Sequence, residues 1–222
     1  MRGRTQLLLA SLVGAAATSL AAQSPTRIAV IPYAGFGIAA KLVNDPAFIL
    51  APKAAGFGGI TIELGMSKTV SIAVGGNRTF SQTMDIGDAT VASQATADMT
   101  MTQATGSLIF RPGGRRPNGA PTPLFIEVGG GMNFYGFGNI IVGGFAIPAN
   151  DWKSTRPFGM IGAGMNFPIG PRSSVQVFGR AQFITAYTST GLDDLNAAPP
   201  PTNYKGKMGV GFQLGVGMRV GR

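Results

Sequence analysis

The C-terminal stretch Lys205–Arg222 reads KGKMGVGFQLGVGMRVGR, and two alternating sets of residues in it decide the fold. Even-numbered positions from Met208 to Val220 are all apolar, whereas the odd-numbered positions between them are glycine apart from Gln213 and Arg219. This period of two predicts a β-strand with one apolar face and one face of very small or polar residues. A glycine-rich face suits the crowded interior of a small barrel whose outer face meets lipid. The stretch therefore predicts a transmembrane β-barrel.

The composition agrees with a membrane barrel of one domain. Only 12% of the 222 residues are charged, and 34 of them are glycine, well above the usual share of about 7%. No apolar run reaches the roughly 18 residues of a transmembrane helix, so none is expected in the mature protein. The chain has no cysteine, which excludes disulfide stapling and leaves the closed hydrogen-bonded ladder as the source of stability.

The N-terminus has the pattern of a secretory signal peptide. Arg2 and Arg4 form a basic start, Leu7–Ala17 is a short apolar segment, and Ser19–Ala21 supplies the small residues of a cleavage site. We therefore expect a signal peptide over residues 1–21 and a barrel domain over residues 22–222, exported across the inner membrane.

Alternation and turn residues together predict eight strands. Each is long enough to cross the hydrocarbon layer at a tilt, which takes about 9–11 residues. Short turns and long links alternate along the chain, as they do between the periplasmic turns and extracellular loops of outer-membrane barrels. The predicted strands cover 27–38, 56–66, 69–79, 98–111, 123–136, 156–167, 173–187 and 205–221, and the long links cover 39–55, 80–97, 137–155 and 188–204.

In architecture, the mature chain resembles the small eight-stranded outer-membrane barrels of the OmpX, OmpW and OmpA membrane-domain type. The resemblance is carried by the strand plan and by a terminal insertion signal, for which Gln213, Gly215, Met218 and Val220 have the right spacing, although the last residue is not aromatic. It implies a bacterial outer-membrane protein whose partners are the outer-membrane lipids and the insertion machinery. Roles in this family include surface scaffolding, adhesion, stress resistance and passage of small hydrophobic molecules.

Four charged residues have the parity of the barrel interior: Glu63, Glu127, Arg180 and Arg219. Charges in a narrow lumen are expected to pair, because an isolated buried charge is costly. Such an ion cluster would serve either as a gate or as a permanent polar plug. The interior of eight strands is just wide enough for side chains, which favours the plug, although the inward glycines leave room for water.

Charges at the short-turn side of the barrel are all basic: Arg27, Lys68, Arg111, Arg115, Arg116, Arg172 and Arg222. Such a rim would either attract phospholipid head groups or consist of ordinary solvated turn charges. The latter interpretation is the simpler one.

The outer loop 137–155 is unusually apolar, with Ile140, Ile141, Val142, Phe145 and Ile147 close together. An apolar patch exposed to water calls for an explanation. Two are open: the segment extends its hairpin and leans on the outer leaflet, or it folds over the barrel mouth as the wall of a site for a small hydrophobic ligand.

Several function classes are disfavoured. The chain has no histidine, which removes His-assisted hydrolase and acyltransferase mechanisms. Without cysteine or histidine, zinc and copper lack their usual ligands, and we expect no metal site and no cofactor. Basic residues are scattered rather than interleaved with aromatic ones, so nucleic-acid binding is not expected.

The sequence therefore predicts an all-β, eight-stranded antiparallel up-and-down transmembrane barrel without enzymatic activity. The first functional hypothesis is a structural or surface anchor of the cell envelope with a plugged lumen. One alternative is a narrow channel or lateral-exit conduit for small hydrophobic solutes, using the loop at 137–155. A second alternative is an adhesin whose partner-binding surface is the Thr/Ser-rich segment at 80–106.

Overall fold

Hydrogen-bonded ladders carry the chain around a complete ring. The structure is a computed structural model that describes residues 27–87, 95–113, 123–142, 145–147, 150–170 and 172–221. Eight long strands pair antiparallel with their neighbours, and the last of them pairs with the first, so the ring is closed. In ring order they are β1 (Arg27–Ile38), β4 (Ala55–Gly65), β5 (Val70–Thr79), β7 (Ala95–Phe110), β8 (Leu124–Val142), β10 (Ser154–Gly170), β11 (Ser173–Ile184) and β12 (Gly209–Gly221).

Four shorter strands lengthen the wall at one end of the ring. They are β2 (Val43–Asp45), β3 (Phe48–Pro52), β6 (Gln82–Gly87) and β9 (Phe145–Ile147). Strand β6 pairs with β7, β3 with β6, and β2 with β3, whereas β9 forms a hairpin with β8.

A short helix lies at the same end as the added strands. Helix α1 (Thr190–Ala197) begins after Ser189, whose hydroxyl accepts the backbone N–H of Leu192 at 3.2 Å and so caps the helix. A 3-10 turn (Asn150–Trp152) precedes β10. No helix in the described part of the chain is long and apolar enough to cross a bilayer.

The two ends of the ring differ in their connections. At the short-turn end, β4 joins β5 through a turn in which the Ser67 hydroxyl accepts the N–H of Val70 at 3.0 Å, and β10 joins β11 after Gly170. At the long-loop end lie the four short strands and α1. This asymmetry confirms the predicted alternation of short and long connections.

The closed ring confirms the predicted fold, but several strand boundaries were wrong. At the long-loop end, β7 begins three residues before the predicted 98, because its start pairs with β6 and with the extension of β8. Strand β11 instead ends early, because the chain turns inward and buries Tyr187. Residues 205–208 precede β12 and are held by a single bridge, from Gly206 to Val43. Two further boundaries differ by more than one residue: β8 ends at 142 rather than 136, and β10 spans 154–170 rather than 156–167.

Side chains alternate between the two faces of the wall as predicted. On β12, Phe212 and Leu214 are 57% and 69% exposed on the outer face, whereas Gln213 is 4% exposed inside. Every barrel strand presents large apolar side chains outward, among them Ile28, Ile62, Val74, Leu108, Ile126, Ile161 and Phe183. The wall therefore has an apolar outer face and an inner face of buried side chains.

Two of the inward glycines make room for aromatic rings. Gly215 is the cross-strand partner of Phe178, and a Cβ at Gly215 would lie 2.4 Å from the Cζ atom of that ring. Gly164 is paired with Phe125 in the same way, and its Cβ would also lie 2.4 Å from a ring Cζ. Glycine on one strand and a large ring on the next therefore fill the interior together, since cores pack at nearly crystalline density.

Candidate functional site in the barrel interior

The short-turn end of the interior contains a buried charge triad. Arg111, the residue after β7, donates to the Glu63 carboxylate at 2.7 Å, and Arg219 on β12 lies 3.4 Å from the same Oε2 atom. Arg111 also donates to the hydroxyl of Ser71 at 3.1 Å. Glu63 and Arg111 are 0% and 1% exposed, so three strands are tied together by charge-assisted hydrogen bonds away from water.

A second, separate ion pair lies nearer the middle of the barrel. Arg180 donates to both carboxylate oxygens of Glu127, at 2.8 and 3.2 Å. Ser107 donates to Glu127 at 2.6 Å. The Arg180 guanidinium also lies over two rings, with its Cζ 4.4 Å from the Phe178 centroid and 5.6 Å from that of Tyr33, within the range of cation–π attraction.

The four charges predicted for the interior are all paired, in two ion pairs. Glu63 pairs with Arg219, and Glu127 with Arg180, in two distinct groups. The prediction missed Arg111, which it placed among the solvated charges of the short-turn rim. Parity offered the missing signal, because Arg111 continues the inward positions of β7 that include Ile109 and Ser107.

A network of side-chain amides crosses the interior above the Glu127–Arg180 pair. Gln103 on β7 is 1% exposed and stands at its centre. Its Oε1 atom accepts from Asn77 at 2.8 Å and from Gln213 at 2.9 Å. Its Nε2 atom donates to Asn133 at 2.7 Å and to Gln182 at 3.0 Å. One glutamine thus contacts side chains from four other strands: β5, β12, β8 and β11.

An apolar layer fills the interior between the amide network and the long-loop end. Met99 and Met101 of β7 pack there with Tyr135 and Phe137 of β8. Residues from outside the ring complete the layer: Leu42, Val43, Leu50, Met84, Tyr187 and Leu192. The described links at this end therefore fold inward onto the barrel and pack with it into an apolar core.

Tyr187 holds the inward fold of the chain after β11. Its hydroxyl donates to the backbone carbonyl of Trp152, and its ring meets those of Tyr135 and Phe137 edge-on. Burial raises the pKa of Tyr187 to about 12, because the phenolate would lose its hydration.

The apolar loop at 137–155 lies partly in the wall. Its first residues continue β8, and the backbone at Ile141 and Val142 pairs with β9 at Ala146 and Phe145. Ile147 pairs with Ile140, whose side chain is 5% exposed and belongs to the apolar layer. The backbone therefore follows the extended hairpin, and Ile140 points inward.

The residues of the predicted insertion signal divide between the two faces of β12. Gln213 and Gly215 lie inside, whereas Met218 and Val220 are 46% and 47% exposed outside. Their recognition by insertion machinery stays a prediction, and the predicted signal peptide at 1–21 lies outside the described residues. The Thr/Ser-rich segment at 80–106 includes β6 and most of β7, with residues 88–94 also outside the described part.

The polar groups of the described interior are engaged with one another rather than arranged around a metal or catalytic centre. Among the described residues, no group of three or more histidine, cysteine, aspartate or glutamate side chains is placed to hold a metal ion. Both interior carboxylates are already engaged by arginines. The arrangement stabilises the ring by linking strands that are not neighbours.

Comparison with known proteins addresses the fold. No protein-family profile matches the chain, and no curated protein sequence matches it. Among solved structures, the outer membrane protein OprG from Pseudomonas aeruginosa matches with a TM-score of 0.51 and 9% identity, over 89% of this chain and 96% of that chain. Neisserial surface protein A matches with a TM-score of 0.49 and 13% identity, over 87% and 96%.

A major outer membrane protein from Thermus thermophilus matches with a TM-score of 0.49 and 12% identity, over 90% of this chain and all of that chain (100%). At identities this low, a structural match supports a shared fold and says nothing about a shared activity. Together with the closed ring of eight antiparallel strands, the match to OprG shows that this chain has the fold of the small eight-stranded outer-membrane β-barrel proteins.

Proposed function

We propose that the protein is a non-enzymatic anchor of the bacterial outer membrane, with a lumen closed by its own side chains and with its working surface at the long-loop end. The observation that carries the proposal is the position of Gln103, which hydrogen-bonds side chains from four other strands across the interior. A side chain held in this way occupies the axis that a solute would have to use.

Three layers support a closed lumen. The Glu63 triad fills the short-turn end, the Arg180 pair and the amide network fill the middle, and the apolar layer fills the mouth. An ion crossing these layers would have to shed its hydration shell and displace paired charges, and removing charge from water without compensation is costly.

The exterior supports the proposed location. Large apolar side chains cover the outer face of the ring, as expected for a wall that meets acyl chains. The described aspartates gather at the long-loop end, where Asp85 pairs with Lys53 at 3.0 Å. A rigid barrel with added strands and a helix at one end suits a protein that displays a surface rather than one that transports solutes.

Planar-bilayer recording tests the proposal. Purified protein refolded into a bilayer is expected to give no stepwise current, and the Glu127→Gln variant is expected to stay silent because the amide network and the mouth remain. Gramicidin added to the same bilayer is the positive control for conduction. Stepwise currents from the unmodified protein that change in Arg180→Gln would overturn the closed lumen.

One cavity favours a second candidate, a lateral path for small apolar solutes. Where β1 ends, the outward residues Ile38 and Phe212 line the same cavity as the inward residues Met101 and Gln182. The cavity has a volume of only about 10 Å³, room for about one water molecule, so a solute would use this path only if the wall widened there. Faster entry of a small uncharged aromatic dye into proteoliposomes, slowed by Ala39→Trp in the cavity lining, would support this path. Equal entry with and without protein would exclude it.

A further inference from the structure

The outer face of the barrel carries an open apolar groove. It crosses β10, β11 and β12 and has a volume of about 290 Å³. Its lining combines large apolar side chains with alanine and glycine: Ala163, Met165, Phe167, Val177, Gly179 and Leu214.

The groove exists because two small residues lie side by side among large ones. Ala163 on β10 is the cross-strand partner of Gly179 on β11, and Gly179 is in turn paired with Leu214 on β12. Two residues nearer the short-turn end on each strand, the cross-strand pair Met165 and Val177 forms a raised edge. The depression is thus built by the register of three strands.

A second row of outward glycines is covered by a side chain of the protein itself. Gly56 and Gly58 on β4 lie beneath the ring of Phe80, and Cβ atoms placed on them would lie 2.9 and 3.5 Å from that ring. A side chain of the protein therefore covers that site. At Gly179, a Cβ would lie 3.3 Å from Cδ2 of Leu214, which forms one side of the groove. The rest of the groove stays open, with room for an outside apolar group.

An exposed cation lies at the short-turn end of the same hairpin. Arg172 lies in the turn between β10 and β11, and its carbonyl accepts the N–H of Gly221 at 3.1 Å. From Gly179 to Arg172 is about seven residues, or roughly 23 Å along the strand. At the tilt of about 40° usual for such barrels this is roughly 18 Å of depth, close to half of a hydrocarbon core about 30 Å thick.

The exposed charges described at the short-turn end are basic, so they favour an anionic lipid head group. Among the described residues, the exposed or partly exposed charges of the short-turn end are Arg27, Lys68 and Arg172, while the carboxylate of Glu63 is buried in its triad. Among the described side chains of this rim, a negatively charged head group would meet cations and no exposed carboxylate. Attraction to anionic lipid is worth about 1 kcal/mol per basic residue at a membrane surface.

We propose that this groove, together with Arg172, is a binding site for one anionic phospholipid of the leaflet at the short-turn end. One acyl chain lies in the groove between Phe167 and Leu214, and the phosphate pairs with Arg172. The proposal rests on the membrane location proposed above. It assigns to one face of the barrel a lipid that stays bound longer than the surrounding lipids.

Native mass spectrometry of detergent-solubilised protein titrated with phosphatidylglycerol tests the site, with phosphatidylcholine as the zwitterionic probe. The unmodified protein is expected to retain one phosphatidylglycerol and to retain phosphatidylcholine about fivefold less, the factor that 1 kcal/mol represents. Arg172→Gln is expected to remove this preference. Gly179→Leu and Ala163→Phe fill the groove and are expected to lower retention of both lipids.

Two variants serve as matched controls. Lys68→Gln removes a cation at another turn of the same end, and Gly106→Leu adds a side chain at an outward glycine where a Cβ meets nothing within 4 Å. Both are expected to keep the bound phosphatidylglycerol. Equal retention of the two lipids, or equal losses in Arg172→Gln and Lys68→Gln, would overturn the site.

Flotation with lipid vesicles separates this inference from the proposed location. Protein that floats with vesicles and resists extraction by carbonate, yet shows no preferred lipid, contradicts the lipid site alone. Protein that stays in the aqueous fraction contradicts both the site and the membrane location.

Discussion

Arg111 and Glu63 form a hydrogen-bonded ion pair at 2.7 Å between two strands, β7 and β4, that are not neighbours in the ring. Strand β5 lies between them and contributes Ser71 to the same arginine. The pair therefore links three consecutive strands through the interior, in addition to their backbone ladders.

Removing the carboxylate is expected to destabilise the barrel strongly. Glu63→Gln leaves Arg111 and Arg219 buried without their counter-charge, and breaking a buried pair from one side costs about 3–5 kcal/mol. Urea unfolding in lipid vesicles measures this loss. The control is Asp85→Asn, which breaks the exposed pair with Lys53 and is expected to cost less than about 1 kcal/mol. Equal losses in the two variants would contradict a structural role for the triad.

The amide network is expected to act as one cooperative unit. Gln103→Leu keeps much of the volume but leaves amide groups of Asn77, Asn133 and Gln213 without their partner, at about 1–3 kcal/mol for each buried group that stays unsatisfied. Equilibrium unfolding is again the measurement. Thr105→Val, two residues along the same face, is the control, and a loss no larger than in that variant would contradict the network.

Close packing predicts a sharp difference between two glycines. Gly215→Ala places a Cβ against the Phe178 ring and is expected to destabilise by about 1–3 kcal/mol through overpacking. Gly106→Ala adds a methyl where nothing lies within 4 Å, so no loss is expected from overpacking. Combining Gly215→Ala with Phe178→Leu is expected to recover part of the loss. Unchanged stability of Gly215→Ala would show that the ring is not packed there.

The mouth of the barrel is expected to loosen at high pH. Burial raises the pKa of Tyr187 from 10.0 to about 12, so folding disfavours its phenolate. This stabilisation is fully present below pH 10 and is lost as the pH rises toward 12, to a total of about 2–3 kcal/mol.

Unfolding measured at pH 9, 10, 11 and 12 checks the expectation for Tyr187, with Tyr187→Phe as the reference. The free energy of unfolding of the unmodified protein, minus that of Tyr187→Phe, should fall as the pH rises, because only the tyrosine can ionise. Parallel pH profiles for the two proteins would contradict the burial of this phenol.

Much of the fold follows from alternation alone. The apolar set on β12 places Phe212 and Leu214 outside and Gln213 inside, and the structure agrees. Segments as short as β2 and β9, with three residues each, are too brief for a period of two to be distinguished from a loop. Their pairing depends on neighbouring strands, β3 and β8, rather than on their own residues.

Parity predicted which side chains point into the interior, but not which of them contact one another. Parity assigns Glu127, Arg180 and Gln182 to the inside, and they lie there. Which inward side chains meet depends on the stagger between strands, and a shift of register by one residue reverses every side chain of a strand. The central position of Gln103 therefore emerges only when five strands are placed in register.

Water permeability tests the central claim, a lumen filled by its own side chains, most directly. Stopped-flow light scattering would record the osmotic shrinkage of vesicles with and without the inserted protein, with vesicles that contain gramicidin as the open reference. We expect the unmodified protein to leave the shrinkage rate at that of protein-free vesicles. A rate that rises in proportion to the amount of unmodified protein would contradict the filled lumen.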